Sequence, residues 1–426
     1  MRANADVALE SITDEAQPQH PQSTNVKEPT GTDASPEALR EDILRHLESL
    51  GITAGQRAIR GEPSYLAKEE VRTAHLSQRR AFLKRELKAL APRWDRLTAY
   101  LADGSEVVPD KIRPTLVLAE SSHETGDLFR LATTFWSVPV SRGFGRRMRY
   151  LVLDEHNGKL IGVFALGDPV FNLRARDEWI GWSVSAREKR LVNVMDAYVV
   201  GAVPPYNKLL GGKLVASLIG SAEVGREFWS RYGNSEGIIS ERRKRARLTL
   251  VTVTSALGRS SLYNRLNLRA DPEDPSSASL VRLEKLGATQ GFGHFHLSDR
   301  LFERLRQLLA QDEHHYVDGH QFGDGPNWRM RVARVGLSKL GLSPNLVRHG
   351  ISREVFAMPL TEHFREILRG STRKVKVERP NAVDIAEAAL QRWVIPRAKR
   401  RPEYRDVQKT DGLIVQESIR AQTRLH

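Results

Sequence analysis

Two apolar segments that flank an Asn-Gly pair restrict the fold of this chain more than any other feature of the sequence. Tyr150–Asp154 and Leu160–Leu166 have the composition of strands, and Asn157-Gly158 lies between them. Asn-Gly is the strongest short-range signal of a β-hairpin, because both residues of a tight turn must accept a positive φ. The sequence therefore predicts an antiparallel hairpin here and excludes an all-helical bundle.

Further strands and helices alternate around this hairpin. Apolar strands are predicted over residues 114–119, 194–202 and 248–254 and near residues 280–286. Predicted helices lie between them, over residues 128–135, after residue 212 and over residues 259–266. This order predicts an α/β core with a central mixed sheet over residues 111–300, with helical extensions at both ends.

The segments outside this core differ from it in composition. Residues 1–35 are rich in Pro, Gln, Ser and Thr, which predicts a disordered acidic tail. Ser35-Pro36 suits the start of a helix and opens a predicted N-terminal helical domain over residues 36–110. Apolar residues recur with helical spacing from residue 301. We therefore expect a mostly helical C-terminal region with a basic tail over residues 301–426.

The chain is strongly basic, and its charge is unevenly distributed. It has 66 Lys and Arg against 52 Asp and Glu, a formal net charge of +14. Residues 1–36 hold six acidic and two basic residues, a net charge of −4, so the remainder carries +18. A basic protein of this kind is suited to a polyanionic partner, above all nucleic acid.

The positive charge is concentrated in three clusters. One lies on a long predicted helix, one precedes the strand at residues 248–254, and one lies beside Tyr404, which is expected to stack on a base. The predicted nucleic-acid contacts are Arg80, Lys84, Lys88, Arg242, Arg243, Lys244, Arg245, Arg247, Arg400 and Arg401. Such clusters neutralise phosphates and release counterions, so we expect them to bind nucleic acid, with DNA as the expected polymer. The competing interpretation is that they only solvate exposed faces.

A different anion site is predicted where the strand at residues 194–202 ends. Lys208, Gly211, Gly212 and Lys213 lie between that strand and the next helix. The first turn of a helix has free N–H groups and the positive end of the helix dipole. The sequence therefore predicts that these four residues bind a phosphate or a phosphate-containing cofactor.

Metal and cofactor chemistry has little support in the sequence. The chain has no cysteine, which excludes disulfides, thiolate zinc sites, iron–sulfur clusters and cysteine nucleophiles. His294 and His296 would face one side of a strand and are the candidate metal ligands of a nuclease, but no known signature includes them. We therefore expect no resident metal ion and no cofactor.

A carboxylate in an apolar strand is the other candidate for catalysis. Asp196 lies within residues 194–202. One interpretation pairs it with an arginine, such as Arg174, Arg176 or Arg259, and holds the sheet to the loop of Trp179 and Trp182. The other places it in a cleft as an acid or base with a raised pKa.

The sequence also argues against a membrane location. No apolar run approaches the about 18 residues of a transmembrane helix, and the acidic N-terminus is unlike a signal peptide. We expect a cytoplasmic protein without a membrane partner.

The core resembles the fold of the GCN5-related N-acetyltransferases over about residues 111–290. In that family a hairpin is followed by a strand, a phosphate-binding turn and a helix, and then by a strand and a tyrosine-bearing helix. The resemblance assigns the coenzyme A turn to Lys208–Lys213 and the proton donor to Tyr263, and so implies an acyltransferase. Lys213 and Asn267 depart from the family pattern, which has small residues at both positions.

A second resemblance covers nearly all of the chain after the tail. Five segments are similar to the DruA family of the Druantia anti-phage system. They are Asp168–Asp177, Trp179–Trp182, Val203–Tyr206, Thr254–Ser261 and Gly325–Arg329. The resemblance implies a component of a multigene bacterial defence system that includes a large helicase. It carries over no residue-level mechanism.

These observations predict a Druantia component that binds nucleic acid through its basic clusters alongside a helicase. Two alternatives stay open. One is an acyltransferase that uses the glycine turn and Tyr263. The other is a metal-dependent DNA-processing enzyme of a mobile element that uses Asp196, His294 or His296.

Overall fold

The computed structural model describes the greater part of the chain between residues 35 and 411. The described residues are 35–49, 79, 82–83, 85–138, 140, 145–236, 243–256, 258–271, 273–292, 297, 299–312, 314, 326–371, 378–409 and 411. The predicted acidic tail falls almost entirely outside them.

Strands of the described chain form one large mixed sheet and two small ribbons. They are β1 (Pro114–Leu118), β2 (Arg147–Asp154), β3 (Lys159–Gly167), β4 (Val194–Ala202), β5 (Ser235–Glu236), β6 (Arg243–Lys244), β7 (Leu250–Thr254), β8 (Asn267–Arg269), β9 (Ser279–Arg282), β10 (Glu284–Phe292) and β11 (Arg348–Pro359). The large sheet has seven strands in the order β1-β2-β3-β4-β7-β11-β10. The predicted mixed α/β class is therefore confirmed.

Helices of the described chain lie before, between and after these strands. They are α1 (Pro36–Ser49), α2 (Trp94–Thr98), α3 (Glu124–Thr133), α4 (Arg174–Ile180), α5 (Val184–Arg190), α6 (Gly211–Leu218), α7 (Ala222–Tyr232), α8 (Asp299–Ala310), α9 (Pro326–Lys339), α10 (Phe364–Arg369), α11 (Ala382–Ala389) and α12 (Ile395–Arg400). The predicted cap of α1 is present, because Ser35 Oγ accepts the N–H of Ala38 at 3.1 Å.

The predicted hairpin is present, but its turn differs from the prediction. Strands β2 and β3 pair antiparallel, and the rings of Tyr150 and Phe164 stack across them at 4.7 Å. Gly158 has the left-handed φ of +71°, whereas Asn157 does not have a positive φ. Asn157 Oδ1 instead accepts the N–H of Lys159 at 3.0 Å. Residues 155–158 therefore form a longer loop in which only the glycine needs a positive φ.

One parallel pair opens the middle of the sheet. Strands β4 and β7 pair from Val194 and Leu250 to Asp196 and Thr252, whereas their other neighbours pair antiparallel. Beyond Asp196, β4 continues to Ala202 in pairing with β3, and the described chain shows no further pairing with β7. The two strands therefore diverge, and the second half of β4 borders a cleft.

Both faces of the sheet are covered by apolar side chains. On one face, Leu214 of α6, Phe228 of α7 and Ile385 of α11 pack in one core. On the other face, Leu97 of α2 and Leu131 of α3 pack with side chains of β3 and β4. A strand that is buried on both faces is expected to have apolar residues throughout, and β3 has them from Leu160 to its end.

The first helix and two helices after residue 298 share a separate core. Ile43 and Leu47 of α1 pack against Leu305 of α8 and Leu337 of α9, and all four are fully buried. The predicted helical stripes of the N-terminal and C-terminal segments therefore face each other.

Two elements differ from the sequence predictions. Residues 259–266 form turns rather than the predicted helix, and Arg265 has a φ of +60°. Glu354 of β11 accepts hydrogen bonds from the N–H of Ser260 and from Asn264 Nδ2, so tertiary contacts hold this segment. Strand β11 also lies beyond residue 300, yet it is inserted between β7 and β10. The sheet thus draws on the region predicted to be mostly helical.

Candidate functional site

The glycine turn forms the base of the cleft beside β4. Leu210 has a left-handed φ of +60°, and α6 begins at Gly211. A Cβ at Gly211 would lie 2.6 Å from the carbonyl oxygen of Tyr206, so this position admits only glycine. Lys208 precedes the turn, and Gly212 faces Leu262 across the cleft. The structure therefore places the predicted phosphate-site residues at a helix start, as expected.

Lys213 crosses the cleft and holds its opposite wall. Its Nζ donates to the carbonyl oxygens of Leu262 at 3.1 Å and Asn264 at 2.9 Å. The ammonium group also lies 5.5 Å from the ring centroid of Trp393. Burial and, secondarily, the charge of Arg392 lower the pKa of Lys213 to about 8. The ammonium group of Lys213 therefore already has hydrogen-bond partners within the protein.

Three arginines converge on a cavity of about 680 Å³ next to Lys213. Arg259, Arg265 and Arg392 are exposed, and they line the cavity together with Ser261, Asn264 and Trp393. Within the described chain, none of the three arginines has a carboxylate partner. No acidic residue is among the described residues that line the cavity. The cavity is therefore a concentrated positive site that suits an anion with several charges.

A second cavity of about 330 Å³ adjoins the first. Aromatic side chains, Phe135 and Trp136, line it opposite Val200–Ala202 at the end of β4. Asn207 and Ser261 supply polar groups. Lys213 and Ser261 line both cavities, so the two spaces lie next to each other.

The C-terminal basic cluster lies beside the glycine turn. Arg397 of α12 donates from Nε to the carbonyl oxygen of Lys208 at 3.2 Å. Arg400 and Arg401 are exposed at the end of the same helix, and Arg401 pairs with Glu403 at 3.2 Å. The structure therefore brings two predicted anion sites together, although they are far apart in the sequence.

Tyr404 was expected to stack on a base beside this cluster, and that expectation is wrong. Its side chain is 1% exposed, and its hydroxyl donates to the carbonyl oxygen of Val107 at 3.4 Å. It anchors the C-terminal segment in the main core. Because the ring of Tyr404 is buried in this core, it cannot stack on a base.

The described part of the cluster before β7 lies away from the cleft. Arg245 is exposed, and the backbone N–H of Arg247 donates to Asn193 Oδ1 at 2.8 Å, just before β4 begins. The glycine turn follows the other end of β4, so the two basic regions lie at opposite ends of that strand. Lys88 is exposed on helical residues 85–90. The other predicted contacts of these two clusters lie outside the described part of the structure. They are Arg80, Lys84, Arg242 and the side chains of Arg243 and Lys244.

Asp196 lies where β4 and β7 separate. Thr252 Oγ1 donates to its carboxylate at 2.8 Å. Burial raises the pKa of Asp196 to about 6, against the opposing effects of Thr252 and the Arg176 charge. Burial and the charge of Asp196 also raise the pKa of the Tyr263 hydroxyl. The structure therefore brings these two candidate catalytic residues together.

The expected arginine partner of Asp196 pairs with another residue. Arg176 is fully buried and binds the carboxylate of Asp177, with Nε at 2.8 Å from Oδ1. It also donates to the carbonyl oxygens of Val170 and Phe171, both at 2.9 Å. Arg259 lines the basic cavity instead. A buried ion pair is therefore present, but its carboxylate is that of Asp177, and its arginine holds the loop of Val170 and Phe171.

The substitution Asp196→Asn should change how stability depends on pH. The pKa of Asp196 in the folded protein, about 6, exceeds the about 3.9 of an unfolded aspartate, so the folded state binds the proton more tightly. This contribution to stability is complete below about pH 4 and is lost as the pH rises to about 6. Denaturant unfolding should therefore show the variant gaining about 2–3 kcal/mol relative to the natural protein between pH 4 and pH 7. A difference that is constant with pH would contradict the raised pKa, and the substitution of the exposed Asp110 by asparagine is the control for the change of side chain.

The described residues offer no metal centre. Among them, no group of three or more His, Asp or Glu side chains is arranged to hold an ion. The candidate ligands His294 and His296 lie outside the described residues, so the alternative of a metal-dependent enzyme is not tested. Within the same part of the chain, no helix combines the length and apolarity needed to cross a membrane.

The fold and the site define a mixed α/β protein with an open basic cleft at the parallel pair of β4 and β7. Residues 65–370 match the family described as Druantia protein DruA, and the chain therefore belongs to this family. A relative from Escherichia coli (strain UMEA 4076-1), also described as Druantia protein DruA, is 48% identical over 368 residues. The match covers 86% of this chain and 89% of the relative. No solved structure matches the chain significantly, so no structural neighbour supports the acetyltransferase resemblance.

Several residues of the cleft were not singled out in the sequence. They are Trp136, Asn264, Arg265, Arg392 and Trp393. The adjacent Arg392 and Trp393 in a helical segment were the available signal, because arginine beside tryptophan is common where phosphates and rings bind. Arg265 carried no such signal, since its position depends on a turn that was predicted to be a helix.

Proposed function

We propose that this DruA family member serves the Druantia anti-phage system as a cytoplasmic, nucleic-acid-binding component that works alongside a large helicase, with DNA as its polymer. The observation that carries the proposal is the convergence of Arg259, Arg265 and Arg392 on one cavity without an acidic residue. The exposed cations of α12 continue this positive surface past the glycine turn.

The electrostatics favour a polymeric anion over a single small one. Arginine binds phosphate with a planar fork of donors and remains charged at all relevant pH values. The three arginines are exposed and are spaced around a wide cavity, and Lys399 and Arg400 are further exposed cations on α12, the helix that follows Trp393. A chain of phosphates can contact all of these cations at once, and each contact releases a counterion.

Binding across a salt series tests this role. Fluorescence anisotropy with labelled single-stranded and duplex DNA should show the logarithm of the association constant falling linearly with the logarithm of salt between about 50 and 200 mM. Three to five phosphate contacts predict a slope of about −2 to −4 on a single strand. Negligible binding to every probe at the lowest salt would reject the role.

An acyltransferase is the second candidate, and the sheet topology favours it. The strand order, the single parallel pair that diverges after Asp196, and the glycine turn before α6 support a core like that of the GCN5-related N-acetyltransferases. The absence of the tyrosine helix and the Lys213 clamp across the cleft weigh against a coenzyme A site. Calorimetric titration with acetyl-coenzyme A should give a saturable signal if this candidate is correct. No heat with acetyl-coenzyme A or with longer acyl-coenzyme A molecules would reject it.

A further inference from the structure

The two adjoining cavities of the cleft differ in chemistry. The smaller cavity has aromatic and aliphatic walls, with Phe135 and Trp136 facing the end of β4. The larger one has three arginines and the Lys213 ammonium group. A ligand that fills both must carry a flat, largely apolar group close to one or more strong anions. A nucleotide has this composition, whereas a plain polyanion does not.

Trp136 is held in a defined position. A Cβ at Gly201 of β4 would lie 2.6 Å from Cζ2 of the indole ring, so the ring packs directly on the strand backbone. Arg79, which is 2% exposed, donates from Nε to the carbonyl oxygen of Trp136 at 3.1 Å. A ring that is fixed before binding loses little conformational entropy when a base stacks on it.

We infer that the cleft holds an unpaired nucleotide of a single-stranded nucleic acid. Its base lies against Trp136 in the smaller cavity, and its flanking phosphates lie among Arg259, Arg265 and Arg392 in the larger one. Asn207 and Ser261 are placed to hydrogen-bond the edge of the base. This inference rests on the proposed nucleic-acid role and specifies the form of nucleic acid that the site takes.

The concave shape of the aromatic cavity is what separates single strands from duplexes. In a duplex each base is stacked between its neighbours and paired at its edge, so it can enter a cavity only after it is extruded at an energetic cost. An unpaired base avoids this cost and is stabilised by stacking on an aromatic side chain. The arginines alone would bind both forms through their phosphates, because phosphate contacts do not depend on base pairing.

The substitution Trp136→Leu tests the inference. It keeps an apolar side chain against β4 and removes the stacking surface. The probes are a single-stranded DNA of about 15 nucleotides and a blunt duplex of the same length. We expect the affinity for the single strand to fall about ten- to a hundredfold, and the affinity for the duplex to change less than about twofold. The matched control is Trp229→Leu, at an exposed tryptophan of α7 that does not line the cleft.

A spectroscopic readout keeps the test independent of small losses in stability. The single strand carries one 2-aminopurine, whose fluorescence is quenched when the base stacks on an indole ring. Its fluorescence should fall when the strand binds the natural protein or the Trp229→Leu variant, and should not fall when the strand binds the Trp136→Leu variant. Equal losses on both probes, or no loss on either, would overturn the unpaired-nucleotide inference and leave the nucleic-acid role in place. Failure of the natural protein to bind either probe would overturn both. Displacement of the single strand by coenzyme A, but not by mononucleotides, would also overturn the inference.

Discussion

Replacing Arg259, Arg265 and Arg392 together with glutamine should lower the affinity for single-stranded DNA about a hundredfold at 0.1 M salt. Each arginine that contacts a phosphate on a single strand contributes about 0.7 to the slope of log affinity against log salt. Loss of three contacts should therefore flatten that slope by about 2. The three side chains are exposed and unpaired within the described structure, so glutamine leaves no buried group without a partner.

The matched control removes the same charge elsewhere. Arg45, Arg174 and Arg226 are exposed and each pairs with a carboxylate on its own helix. Their joint replacement by glutamine also lowers the net charge by three, and we expect less than about a threefold loss of affinity. A control that weakens binding as much as the cleft variant would show that overall charge, rather than the cleft, binds the nucleic acid. Anisotropy titrations at several salt concentrations distinguish the two results.

The largest loss of stability should come from Arg176→Met. The guanidinium group is fully buried, binds Asp177 and two carbonyl oxygens, and lies 5.4 Å from the ring centroid of Trp182. Methionine fills a similar volume but donates no hydrogen bond, so the carbonyl oxygens of Val170 and Phe171 lose their donor. Asp177 keeps its ion pair with Arg187 at 2.9 Å, so the expected cost is that of the lost hydrogen bonds, about 1–3 kcal/mol.

Arg174→Met is the control for this change, two positions away on the same helix. The Arg174 side chain is 89% exposed and pairs only with Glu178. Its replacement should leave the guanidinium chloride midpoint essentially unchanged, because exposed ion pairs on a helix contribute little to stability. If Arg176→Met were as stable as this control, the Arg176 network would not hold the loop before α4.

Local sequence signals predicted the elements that border the cleft. The apolar run of β4, the glycine turn and the start of α6 each follow from the identity of a few neighbouring residues. The cap of α1 at Ser35 and the hairpin around Gly158 were predictable for the same reason. These features depend on backbone preferences and on periodicity, which act over a few residues.

Predictions failed where distant residues control the backbone. Residues 259–266 have the spacing of a short helix, but Glu354 of β11 and Lys213 of α6 bind their polar groups and hold them in turns. Asp196 was expected to pair with an arginine, yet its hydrogen bond comes from Thr252 of the parallel neighbour β7. Neither partner is near its counterpart in the sequence, so no local pattern could identify it.

The sequence by itself determined the α/β class, the basic character of the chain and the absence of cysteine chemistry, because these follow from composition and short-range periodicity. Only the tertiary structure decided which cations act together. It placed Arg259, Arg265 and Arg392 around one cavity and joined the glycine turn to α12, while it left Arg245 and Arg247 at the other end of β4. The physical reason is that a sequence shows only which charges are neighbours along the chain. An anion interacts with charges that are close in space, and the pairing of strands from distant segments determines which charges are close.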